Sequence, residues 1–233
     1  MSNMDTSGVS DALSGGGSGM QYIRQDFQNP ECVHVLFSNR AYASILSEVI
    51  QHNRNETGGV LIGNIYNRVW YIVETIDSGI FTVNSPTFFR WDQNYVNHVI
   101  SVRRNVYKYP PSILGFWHRH PGSLDTFSAM DEMTIRRTLK SCPHGLISML
   151  VNIDPDFRMT CYYCFGKILM SVSYDYGDEY FLSDILACAS PQELIGRSPQ
   201  AKTLRVKPHA TISPKQFAKR FQAVSGRIVP GKS

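Results

Sequence analysis

From Val33 onward the spacing of apolar and polar positions changes several times, and each change marks an element. Residues 33–37 are a short apolar run that reads as a strand. Ser38 can cap a helix whose Ala41, Ile45, Leu46, Val49 and Ile50 fall on one face, and Gly58-Gly59 is expected to break it off. Residues 60–65 and 69–73 are β-branched runs with turn residues between Asn64 and Arg68, the pattern of a hairpin. A loop with Pro86 follows. Asp92 opens a second predicted helix in which Tyr95, Val99, Val102 and Val106 recur, and Pro110-Pro111 ends it because proline cannot continue a helix. Residues 113–117 read as a buried strand, and a third helix is expected over 128–142, closed by Pro143. Three closely spaced runs, 146–153, 159–165 and 168–174, predict an antiparallel meander. The chain is therefore expected to fold as α/β or α+β, with a mixed β-sheet flanked by helices. Beyond it, residues 179–189 read as a short helix, 191–212 show no strong period, and 214–224 read as a basic amphipathic helix.

Composition sharpens this outline. Of the 233 residues 42% are hydrophobic, 12% aromatic and only 18% charged, which suits a folded core and excludes a mainly disordered chain. The expected organisation is a Ser/Gly-rich disordered segment over 1–20, a single domain over 21–178 and a basic extension over 179–233. No apolar run approaches the roughly 20 residues that span a bilayer, and the N-terminus lacks the basic start and apolar stretch of a signal peptide, so a cytoplasmic protein with no membrane partner is expected. Five cysteines, an odd number, fit free thiols in a reducing compartment. The net charge of +4 conceals a split: residues 1–190 sum to −4, and the chain from Pro191 onward to +8. Nucleic acid is not the expected partner of that basic stretch, since its only interleaved aromatics are Phe217 and Phe221.

Candidate chemistry gathers around the strand at 113–117. His118 and His120 alternate at its end, so a period of two aims both imidazoles to one side. Asp131 lies eleven residues on, at the start of the third helix, where the intervening Pro-Gly turn lets the chain double back. Two imidazoles and a carboxylate make a three-ligand zinc site with an open position, the arrangement of a catalytic metal. Glu56, between the first helix and the next strand, is the best-placed base for a proton that such a metal acidifies. Ser128 could donate to the oxyanion of a tetrahedral intermediate.

Plainer roles stand beside these. Ser128-x-x-Asp131 would also serve as a helix cap with a first-turn acid, and both roles can hold at once. His34, His52, His98, His144 and His209 read as surface or core residues. Cys161 and Cys164 fall on opposite faces of one strand, which argues against a shared metal or redox role. Asp125 and Glu132 flank the ligands off the spacing, and Glu48 and Glu74 are weaker rivals to Glu56.

Glu56-Thr57-Gly58-Gly59, His118-Arg119-His120-Pro121, Ser128 and Asp131 together resemble the Glu…His-x-His-Pro…Ser-x-x-Asp pattern of the JAMM metalloproteases, the JAB/MPN family, over about residues 30–175. The resemblance implies the cytidine-deaminase-like JAB/MPN fold, zinc as cofactor on His118, His120 and Asp131, and catalysis by Glu56 and Ser128. It implies hydrolysis of the peptide or isopeptide bond after the C-terminal glycine of a ubiquitin-like protein, by precursor processing or deconjugation. The TGGVLIG segment looks most like bacterial deubiquitinase-like members that accompany activating-enzyme-like and conjugating-enzyme-like proteins, including those of antiphage defence operons. Two positions depart from the pattern: Arg119 stands where Ser or Thr is common, and should point away from the metal. Phe127 stands where DNA-repair-associated members carry Pro before the Ser. A noncatalytic MPN scaffold that binds a ubiquitin-like protein, and a DNA-repair-associated JAB protein, remain as alternatives.

Overall fold

In the computed structural model, residues 19–24, 33–122, 124–197, 213 and 215–216 are described. Ser38 accepts a hydrogen bond from the Ala41 amide at 3.0 Å and starts α1 (Asn39–Gln51), which buries Ala41, Ile45 and Val49. Ile50, expected on that face, is exposed. The helix ends with the His52 amide on the Glu48 carbonyl, well before Gly58-Gly59. The two glycines do not break a helix; they lie inside β3 (Thr57–Tyr66).

That strand pairs antiparallel with β4 (Val69–Ile76) through Asn67 and Arg68, both at positive φ (47° and 64°), as a twisted two-residue hairpin turn demands. The stretch around Pro86, read as loop, is itself a small hairpin of β5 (Val83–Ser85) and β6 (Phe88–Arg90). Three-residue strands are too short to show a period, which is why the pattern missed them. Asp92 caps α2 (Gln93–Val106) through the amides of Asn94 and Tyr95, both at 3.1 Å. Of the expected inner positions Tyr95, Val99 and Val106 pack on the core, joined by buried Val96, while Val102 is exposed. Arg103 lies on the inner side because buried Glu74 on β4 pairs with it at 3.4 Å and with Arg40 at 3.1 Å.

Of the remaining strands, β1 (Gln21–Arg24) and β2 (His34–Phe37) precede the helices, and β7 (Ser112–Arg119) runs two residues past its expected end. Then come α3 (Ala129–Leu139), β8 (Leu146–Asn152), β9 (Arg158–Phe165), β10 (Ile168–Val172) and β11 (Tyr174–Tyr176). Among the described residues the main sheet runs β1-β10-β9-β8-β7-β3-β4-β2-β11. The run expected as one strand over 168–174 splits at Ser173: β10 pairs with β9, whereas β11 pairs parallel with β2 at the far edge. Consecutive Cα atoms lie about 3.8 Å apart, so one intervening residue brings opposite regions of the strand order together and the sheet curls on itself.

Strand alternation divides the core accordingly. Val35, Leu61, Trp70, Trp117, Met149 and Cys161 join the buried face of α1 inside the curl. Outside it, Val60, Ile62, Val73 and Ile76 pack on α2, and Phe116, Leu150 and Cys164 pack against Phe127 and Ile135 of the α3 region. Residues 179–189 are not the expected helix: a 3₁₀ turn (Asp178–Tyr180) leads into irregular chain whose Phe181 and Ile185 are buried beside Tyr71. The chain divides into a unit through Ala189 and a second from Ser190. The second unit contains α4 (Pro191–Arg197), where Ser190 and Glu193 bond each other's amides. That capping pair, with Pro191 at the first helical position, is a start signal legible in the chain even though the segment has no strong period. The segment 1–18, Cys32, His209 and the 214–224 helix apart from Lys215 and Gln216 lie outside the described residues.

Candidate metal centre

The centre is set by strand parity. Phe116 and His118 of β7, and His120 just past its end, face outward, while Trp117 and Arg119 face α1. His118 and His120 are nearly buried, and their Nε2 atoms approach to 3.0 Å. The chain then returns through the 121–127 loop into α3, whose first turn carries Asp131. Asp131 Oδ1 lies 3.4 Å from His118 Nε2, and Oδ2 lies 3.3 Å from His120 Nε2. One ligand atom from each of the three residues falls within 4.8 Å of the others.

Ser128 builds the acid's position. Its amide and hydroxyl both donate to Asp131 Oδ2, at 2.8 and 2.7 Å, and its Oγ accepts from the Asp131 amide. Oδ2 thus faces both Ser128 and His120, while Oδ1 faces His118. Phe127 contributes packing, its ring 5.9 Å from that of His118 and 5.2 Å from Tyr162.

Glu56 arrives on the neighbouring strand. Thr57 pairs with Arg119 and Gly58 with His118 across β3 and β7, so the next position of that antiparallel register sets Glu56 opposite His120 on the outward face. Its amide donates to Ser85 O of the β5–β6 hairpin at 2.9 Å. Each following residue has a stereochemical reason. Thr57 is buried and donates to Glu48 Oε1 at 2.8 Å. A Cβ on Gly58 would meet the Trp117 carbonyl, His118 Cβ and the Phe89 ring; one on Gly59 would meet the Ile76 carbonyl and the Trp117 indole.

The charges are coupled. Burial pushes the Glu56 carboxyl above its ordinary pKa, against the opposing pull of His120 and His118. Burial alone would lower His120, but Asp131 and then Glu56 outweigh it and hold the imidazole above its usual value. Burial would raise Asp131, yet His118 and His120 keep it far below the carboxylate range. Two imidazole nitrogens and a carboxylate this close together form a donor set that could hold a cation, and its chemistry fits zinc.

A family model described as prokaryotic homologs of the JAB domain matches residues 38–162, more than half the chain. The chain belongs to the JAB family. JAB-domain proteins include peptidases. Among solved structures, a protein from Desulfitobacterium hafniense, determined in solution, is 16% identical with a TM-score of 0.43, covering 63% of this chain and 97% of that one. No curated protein matches.

Within this JAB domain the rival carboxylates are engaged elsewhere. Asp125 accepts from Asn152 Nδ2 at 2.6 Å and Arg158 Nε at 2.8 Å, fixing the loop between His120 and Ser128. Glu132 accepts from the Met20 amide and Arg136, Glu48 from Thr57, and Glu74 pairs with two arginines. Cys161 and Cys164 are buried in different cores on opposite sides of the sheet, and burial pushes both thiols up. No helix among the described residues is long and apolar enough to cross a membrane. Two residues had roles that sequence reasoning missed, Asp125 as a loop anchor and Arg119 as a donor to backbone carbonyls; only a buried arginine's need for acceptors could have flagged the second.

Proposed function

We propose that this JAB domain is a zinc-dependent peptidase or isopeptidase that hydrolyses the bond after the C-terminal glycine of a ubiquitin-like protein, within a bacterial ubiquitin-like conjugation pathway that includes activating-enzyme-like and conjugating-enzyme-like partners. The observation that carries the catalytic part is the register of β3 on β7, which sets Glu56 across from His120 on the face that gathers His118, His120 and Asp131. The modifier and the pathway rest on the motif resemblance.

His118, His120 and Asp131 would hold the metal. Zinc bound there would act as a Lewis acid toward the scissile carbonyl and acidify water. Glu56 takes a proton from the attacking water and returns it to the leaving amine; a carboxyl raised by burial is better matched to that task near neutral pH. Ser128 donates its hydroxyl hydrogen bond to Asp131 Oδ2, so its first effect is to orient a ligand, and donation to a substrate oxyanion requires its hydroxyl to rotate.

The test is incubation with a ubiquitin-like fusion, with and without chelator. Cleavage after the terminal glycine should stop with chelator and return with zinc. Glu56→Gln should retain zinc while kcat falls about 10²–10⁴-fold. Cleavage that survives Glu56→Gln rejects the base assignment, and a chain that binds the modifier but neither zinc nor cleaves is the noncatalytic scaffold.

A further inference from the structure

Arg119 lies between two metal-ligand candidates yet points to the opposite side of the sheet, where it is fully buried. Its Nη1 donates to the carbonyls of His52 at 3.1 Å and Asn55 at 3.2 Å, and its Nη2 to Asp154 Oδ2 at 3.3 Å. The first two acceptors belong to the segment joining α1 to β3. Glu56 is the next residue, and the β3–β7 ladder begins only at Thr57. The chain around the candidate base is therefore gripped on one side by Arg119, on the other by the ladder, and at its own amide by Ser85.

The third acceptor is anchored too. Asp154 sits in the β8–β9 turn, whose Phe157 packs on Tyr42 of α1 with ring centroids 5.7 Å apart. At the two ends of that turn, Arg158 of β9 donates to the Asp154 carbonyl and to Asp125, and Asn152 of β8 donates to Asp125 and the Leu124 carbonyl. One turn thus ties together the segment leading to Glu56 and the loop between His120 and Ser128.

We propose that Arg119 is a positioning residue: its guanidinium holds residues 52–55, and through them Glu56, in register with the histidine pair. A planar fork of five donors can serve two carbonyls and a carboxylate at once, which no Ser or Thr at this position could do. The assignment rests on the peptidase reading for its consequence in turnover, while the clamp itself is a property of the fold.

The experiment compares Arg119→Met and Arg119→Lys with the unaltered chain in three measurements: zinc stoichiometry, kcat and KM on a ubiquitin-like fusion, and amide exchange by mass spectrometry. In Arg119→Met, zinc should remain stoichiometric, KM should stay within about twofold, and kcat should fall about 10–100-fold, the scale seen when a group that orients a catalytic residue is removed. Exchange should accelerate over residues 52–57 and not in β8. Arg119→Lys keeps the charge but cannot reach all three acceptors, and should fall between the two. An unchanged kcat, a loss confined to KM or to zinc, or unchanged exchange over 52–57 overturns the proposal. If Arg119→Met does not fold, Arg119→Lys decides: kcat and exchange equal to the unaltered chain overturn it. If the unaltered chain cleaves nothing, the peptidase reading fails, and exchange over 52–57 alone decides the clamp.

Discussion

At the candidate centre, a proton and the proposed zinc would compete for the same atoms. Asp131 and Glu56 hold His120 above its ordinary pKa, so the metal-free protein keeps its imidazole proton to a higher pH than a free histidine would. The stability this adds to the metal-free fold is present below the unfolded imidazole pKa of about 6.5 and is lost as pH rises through the folded value. Zinc needs the neutral ring, so its affinity should have the opposite trend. It should weaken by up to about tenfold per pH unit below the His120 pKa and level off above it. A competition titration with a chromophoric chelator at several pH values checks this, and a flat profile would exclude His120 as a ligand. Most of this centre was legible in the chain because Glu56, His118, His120, Ser128 and Asp131 are chemically distinctive residues near element boundaries. Arg119 was legible only as pointing away, since its acceptors are backbone carbonyls far off in sequence, and a carbonyl has no signature in the residue that carries it.

Elements were readable wherever a side chain announces an end. Ser38, Asp92 and Ser128 each start a helix as read from the chain, because a short polar side chain reaching a free amide is a local event. The chain is less legible where distant contacts decide: buried Glu74 holds Arg103 against β4, and β2 captures residues 174–176 from the end of the meander. The β3–β4 turn offers an element-scale test. Arg68 sits at φ 64°, a conformation costing a side-chain-bearing residue about 1–2 kcal/mol. After the greater flexibility of glycine in the unfolded chain is offset, Arg68→Gly should stabilise the protein by about 0.5–1 kcal/mol. Chemical denaturation checks it, and Arg68→Val should shift the midpoint the other way.

Over the whole chain, charge divides close to where the fold does. The unit through Ala189 carries the candidate centre, and the residues after Pro191 carry the basic excess. Deleting residues 191–233 should leave zinc binding intact while weakening processing of the true substrate, most strongly at low ionic strength where charge attraction is least screened. Equal rates for full and shortened chains across a salt series would show that the basic stretch takes no part in substrate choice. The single residue between β10 and β11 bears on how this molecule is made. On the ribosome, β2 emerges early and β4 soon covers one of its sides, but the strand for its other side is the last of the sheet to be synthesised. If β2 pairs with β4 as the chain emerges, the amides and carbonyls on its other side stay bare until residues 174–176 arrive to pair with them.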